Sequence, residues 1–185
     1  PSFVNIDSTL IQKQDSSSFE GIVMNIDAHV TPDALFRLIF DESTGDVIQG
    51  RAEGDVSLKI DKYGELKMFG GATLTDGNYQ FTMTNLFSKK FEVVPGSDIN
   101  WTGSPYEADI DINAVYKLQA PLYDLMLGRL PEDQLSMYNR PEKVRCEIEL
   151  SGSLADMQTS FDFSVPNADE TAKAVVSKVK SDEEQ

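Results

Sequence analysis

The chain has one cysteine, one histidine and one tryptophan. A lone Cys146 excludes an internal disulfide and a cysteine-cluster metal site. Basic residues are scarce: sixteen Lys and Arg stand against thirty-one Asp and Glu, a net charge of −15. Phosphate backbones need a basic footprint, so this balance excludes nucleic acid as a partner and disfavours adhesion to an anionic membrane surface. No apolar run approaches the roughly 18–20 residues that span a bilayer as a helix, and no signal peptide is present. Neither a Gly-x-Ser-x-Gly elbow nor a phosphate-cradling glycine loop occurs. No catalytic constellation is found, so the expectation is a non-enzyme without cofactor or metal. The first residue is Pro1 rather than methionine, and the expectation is a piece excised from a longer protein.

What the chain has is alternation. Forty per cent of its residues are hydrophobic, arranged with a period of two that marks strands with one apolar and one wet face. Ile22, Met24 and Ile26 oppose Val23, Asn25 and Asp27. Val56, Leu58 and Ile60 oppose Asp55, Ser57 and Lys59. The most organised stretch runs from Gly77 to Tyr116. There Tyr106, Ala108, Ile110, Ile112, Ala114 and Tyr116 share one face, with Glu107, Asp109, Asp111 and Asn113 on the other. Asp76-Gly77-Asn78 has hairpin chemistry, and Pro95-Gly96 predicts a second reversal. A short strand at 3–7, a polar loop at 12–18 and a break at Thr31-Pro32-Asp33 complete the first part. Leu122, Leu125 and Met126 have helical spacing, and Pro131 with Glu132 and Asp133 opens a second short helix, so 119–139 reads as a helical insertion. Residues 1–167 are expected to form one β domain and 168–185 a helical or disordered tail.

Eight to eleven strands joined by short turns predict an antiparallel meander. Each large apolar side chain gains about 1.5–3 kcal/mol on burial, so a dry face repeated on every strand cannot lie open to water. A sandwich, a closed barrel, or one sheet folded into a trough would each cover it, and periodicity does not choose among them.

The polar faces carry few candidates for chemistry. His29 with Asn25 and Asp27 could align three metal ligands, but a solvated strand face is the plainer reading. Asp109, Asp111 and Asn113 form a similar row, and a flat strand wraps a cation poorly. Cys146 shares a face with Val144 and Ile148 and reads as a small buried residue rather than a nucleophile. Trp101 could anchor a sugar but sits within Ile99-Asn100-Trp101 and reads as core.

The segment from Thr73 to Met126 resembles the C-terminal domain of the TamB family, within the AsmA-like group. The resemblance is carried by Gly77-Asn78-Tyr79, Phe91-Glu92-Val93 leading to Gly96, Ile99-Asn100-Trp101-Thr102-Gly103, and Ile112-Asn113-Ala114-Val115-Tyr116. A second block, VRCEIELSGSLADMQTSFDFSVPNADE, resembles the closing part of the domain in Bacteroidetes-type members. It departs from many members at Ala155-Asp156-Met157, where they carry a proline. The likeness covers roughly residues 50–170. It implies an all-β fold: a long antiparallel sheet bent into a U-shaped trough, or β-taco, with an apolar interior. It further implies a periplasmic segment of an inner-membrane-anchored protein of the translocation and assembly module, the anchor lying outside this chain. Such a protein acts in outer-membrane biogenesis with a BamA/TamA-type outer-membrane partner, and its cargo is phospholipid or nascent outer-membrane protein.

On that reading the trough is lined by Ile22, Met24, Ile26, Val56, Leu58, Ile60, Tyr79, Phe81, Met83, Phe91, Val93, Ile99, Trp101, Ile110, Ile112, Val144, Ile148, Leu150, Phe161 and Phe163. A continuous apolar lining suits acyl chains or an amphipathic client strand. The alternative is a closed β-sandwich binding module with a packed interior, for example one that binds glycans through the loops around Trp101 to Tyr106.

Overall fold

Strands form over most of the alternating stretches, but not at Tyr106, which lies in a 3-10 turn at Pro105–Glu107 instead of on the expected strand. The computed structural model describes residues 21–41, 45–83 and 87–183, so the expected strand at 3–7 and loop at 12–18 lie outside the described residues. In chain order the strands are β1 (Met24–Val30), β2 (Leu35–Asp41), β3 (Asp46–Ile60), β4 (Leu66–Met83), β5 (Phe87–Val93), β6 (Ser97–Gly103), β7 (Asp109–Pro121), β8 (Pro141–Ser153) and β9 (Asp156–Ser164). Helices α1 (Tyr123–Met126) and α2 (Glu132–Leu135) lie between β7 and β8, and α3 (Glu170–Glu183) follows β9. All nine strands found among the described residues belong to one antiparallel sheet. The two-sheet sandwich is therefore not formed, and the fold is the single bent sheet.

Two expected reversals are overturned, for one physical reason. Asp76-Gly77-Asn78 does not turn the chain; β4 runs straight through it. Arg51 pairs with Asp76 and Ala52 with Leu74, so Thr75 is an extra residue, a β-bulge. Nor is Pro95-Gly96 a reversal. Both β5 and β6 run antiparallel to β4 and pair with β7, so together they form one strand kinked at residues 94–96. A hairpin would require each pair of flanking segments to bond each other. Here β3 and the β5–β6 strand flank β4 along its length, and the ladder they offer outweighs the local turn preference.

The strand formed by β1 and β2 is interrupted in the same way. Both pair with β3 in the same sense, β1 from Gly54 to Ile60 and β2 from Asp46 to Arg51. The interruptions line up across the sheet as a crease. Within it Gly96 N–H donates to the Leu74 carbonyl at 2.9 Å, and Val94 N–H to the Asn113 carbonyl at 2.7 Å. Ser97 closes the gap: its hydroxyl donates to the Val94 carbonyl at 2.7 Å and accepts from Asn113 N–H at 3.1 Å. It is the one buried polar residue among those described, because the crease supplies partners for both roles. Gly96 takes a positive φ of 91°, which its missing Cβ permits.

Two apolar clusters follow from this layout. The larger fills the bend of the sheet around Ile48, Leu74, Tyr79, Ile112, Ile148 and Leu150, each at most 1% exposed. Tyr79 places its hydroxyl against the Asp46 carboxylate at 3.3 Å, and burial foremost, with that charge second, raises its pKa far above the usual value. The smaller cluster joins α1, α2 and α3 through Met126, Leu135, Tyr138, Ala172 and Val176 and closes one end of the sheet. Asp169 caps α3 by accepting from Ala172 N–H at 2.8 Å, and the buried Tyr138 hydroxyl donates to the same carboxylate. Lys180 reaches back to Asp162 at 2.6 Å, fastening α3 to β9.

The crease and the Lys180–Asp162 pair each generate a prediction. A Cβ on Gly50 would stand 2.1 Å from the Asp76 carbonyl oxygen, whereas one on Gly103 meets nothing within 4 Å. Gly50→Ala is expected to lose about 1–3 kcal/mol and Gly103→Ala to stay within about 0.5 kcal/mol in urea unfolding. The bond from Lys180 holds the Asp162 pKa below its usual 3.8. A lowered folded value means that the contribution is complete above pH 3.8 and disappears as pH falls through the folded value. Lys180→Gln is expected to remove that acid-side loss; equal acid sensitivity of both proteins would refute the assignment.

Candidate functional site

The site is the concave face of the sheet, and the ladder register builds it. On β3 the residues 48, 50, 52, 54, 56, 58 and 60 point inward. Their partners Tyr79, Gly77, Leu74, Ala72, Gly70, Met68 and Leu66 do so on β4. On the far wall Ile112, Ala114 and Tyr116 of β7 pair with Leu150, Ile148 and Cys146 of β8, and Cys146 and Ile148 pair with Phe163 and Phe161 of β9. From β4 to β9 is four strand spacings, about 19 Å on a flat sheet. Yet the rings of Phe81 and Phe161 are 5.3 Å apart. The walls have folded together across the concavity. Phe40, Tyr79, Phe81, Phe91 and Tyr116 form a continuous run of ring contacts across its interior, at centroid distances of 5.6–6.5 Å.

Strand β9 pairs only with β8 among the described residues, and no ladder joins it to β1 or β2. The trough is therefore open along one lip, where Phe161 remains 57% exposed despite its contact with Phe81.

The lining expected from sequence divides by position. Val56, Tyr79, Phe91, Val93, Ile99, Ile110, Ile112, Ile148 and Leu150 are buried in the middle of the trough. Leu58, Ile60, Phe81 and Trp101 are half-buried. Ile22, Met24 and Ile26 are 50%, 41% and 42% exposed, at the end away from the helices. The structure does not bring Val144 and Phe163 to the trough core; they pack against the helical cluster. Met83 falls in β4, but its side chain is outside the described residues.

At the end away from the helices, β1, β3 and β4 run past the other wall: β4 pairs with β6 only from Met68 to Leu74, and β7 begins at Asp109. The inward residues Met24, Ile26, Leu58, Ile60, Leu66 and Met68 therefore form an apolar mouth. Leu66 is 37% exposed there.

Sequence reasoning missed part of the lining. Phe36, Leu38 and Phe40 pack on the core from β2, and their alternation was the available signal. Lys89 pairs with Phe81 across the ladder on the inward face, and its ammonium lies 5.5 Å from the Tyr116 ring centre, a cation–π arrangement. Its phase with Phe91 and Val93 would have revealed it.

The polar candidates sit on the outer face. His29 Nδ1 is 2.8 Å from Asp55 Oδ1, and the Ser57 hydroxyl donates to Asp27. Asn113 donates to Asp111 at 3.2 Å. No group of three or more His, Cys, Asp or Glu side chains able to hold a metal occurs among the described residues. The half-buried Cys146 thiol is pushed above its usual pKa by burial, which favours the unreactive protonated form. Trp101 lies half-buried against the trough core.

The comparisons agree with this geometry. The family model of the TamB C-terminal domain matches residues 4–180. No curated protein matches the chain. With nearly its whole length matched and its strands forming a single trough-shaped sheet, the chain belongs to the TamB C-terminal domain family, whose proteins take part in outer-membrane assembly.

Proposed function

We propose that this domain is a non-enzymatic carrier whose trough receives phospholipid acyl chains in the periplasm, as part of an inner-membrane-anchored protein working with a BamA/TamA-type partner. The observation that carries the reading is the mouth. Met24, Ile26 and Leu66 are all more than a third exposed on a face whose continuation is fully buried. An exposed apolar patch contiguous with a core is a binding surface in water. An acyl chain fits it, since such a chain needs apolar area and no specific polar partner. The middle of the trough is filled by the protein's own side chains, so cargo rests on the mouth and along the open lip. None of the described helices is long and apolar enough to cross a membrane.

A second reading rests on a separate observation. The outer edge of β9 has no strand partner among the described residues, and an extended segment of a client outer-membrane protein could add there as a further strand.

A photo-crosslinking residue at Ile26 or Leu58 of the full-length protein in cells is expected to yield lipid adducts, while one at the exposed outer-face Glu53 yields none. Protein adducts from a crosslinker at the exposed Gln158 on β9 would favour the second reading, and no adduct at Ile26, Leu58 or Gln158 would defeat both. Leu58→Asp is expected to abolish lipid capture in the folded protein. Ile110→Asp is a different case, because Ile110 is 3% exposed: a charge there costs several kcal/mol and unfolds the domain.

A further inference from the structure

The outer face of the sheet carries a second concavity, apart from the trough. A cleft of about 570 Å³ lies over the ends of β7 and β8 nearest the helices, framed by Lys117, Gln119, Lys143, Arg145 and Pro166 above the Leu118–Val144 pair. Lys117 stands directly opposite Arg145 on the ladder, and Gln119 opposite Lys143. All four alternate with the inward Tyr116, Leu118, Val144 and Cys146, so all four face outward. Like charges set opposite each other destabilise a sheet. A chain of net charge −15 nevertheless gathers three cations at this one place.

The acids nearby compensate them only in part. Lys117 meets Glu92 at 3.4 Å with both side chains more than two-thirds exposed, a pair too solvated to resist a competing anion. Glu147 pairs with Arg145 through Nε, with the Arg145 side chain 45% exposed. Lys143 has no ion-pair partner among the described residues. Guanidinium, two ammonium groups and the Gln119 amide thus offer donors from four side chains around one cleft.

We propose that this cleft binds a phosphate ester. A carboxylate has two acceptor oxygens, which one guanidinium satisfies; donors from four side chains match the three oxygens of a phosphate monoester. The volume lies within the roughly 300–1,000 Å³ range of small-molecule sites, far larger than a bare phosphate requires. The aliphatic stems of the lysines and the Pro166 ring supply a wall for an organic substituent. The chemistry is that of the monoester headgroup of phosphatidic acid or of a free sugar or glycerol phosphate.

The test is an amide NMR titration of the chain with glycerol 3-phosphate, dihexanoylphosphatidic acid and inorganic phosphate. Glycerol 3-phosphate is expected to bind saturably, shifting the amides of Gln119, Lys143 and Arg145. A Lys143→Gln/Arg145→Gln double variant should bind about tenfold more weakly, and Lys62→Gln, at the far end of the sheet, should bind as the native chain does. Tighter binding of the short-chain lipid through the same amides would identify the headgroup as the source. Tighter binding of glycerol 3-phosphate would identify the free ester. Inorganic phosphate binding as well as either ester overturns the ester assignment. No saturable shift, or native affinity in a folded double variant, overturns the site. Glycerol 3-phosphate has no acyl chain, so this result stands apart from the fate of the acyl-chain reading.

Discussion

A single sheet with one dry face has only itself to cover that face, and the rest of the structure follows from this constraint. Helices α1, α2 and α3 protect one end, and no second sheet occurs among the described residues. The strands must therefore bring their own walls together. The crease contributes by bending the strands that cross it, since bulges raise local twist and curvature. Its backbone would be expensive to bury unpaired; Ser97 and Gly96 supply the missing partners and the permitted backbone angle. Phe81 meeting Phe161 marks the completed bend.

The inward faces of most strands were legible because strand periodicity is two: once the apolar phase was read, Ile112, Ile148 and Leu150 had to share a side. Their common phase could not tell a sandwich from a trough, because both bury the same positions. The crease was not legible. Asp-Gly-Asn and Pro-Gly carry the same chemistry in a hairpin turn and in a bulge, and the choice belongs to whichever strand lies alongside. For Gly77 that neighbour is Gly50, twenty-seven residues earlier in the chain and placed only after β3 and β4 have paired.

The candidate site shows the same limit. Which residues face the trough was largely readable; how deeply each is buried was not. Ile26 and Ile112 have equal claims as alternating isoleucines, yet one is 42% exposed and the other fully buried. The difference comes from the extent of the opposite wall, which stops short of β1. Val144 and Phe163 were in phase with the lining but lie where the helices cover it, and their contacts depend on how α3 docks. The outer cleft escaped sequence reading for a related reason. Lys117 and Arg145 are distant in sequence, and only the β7–β8 register sets them face to face.

The contact between Phe81 and Phe161 bears on the mechanics of the fold. Everywhere else in the sheet, neighbouring strands are joined by ladders of backbone hydrogen bonds. Among the described residues the two rings meet across the lip without any such ladder, and an aromatic pair contributes about 0.5–1.5 kcal/mol beyond its area burial. Among the described residues the walls are joined at the lip by apolar contact alone, so the rim is held by non-directional packing against the buried core while the floor is held by directional bonds.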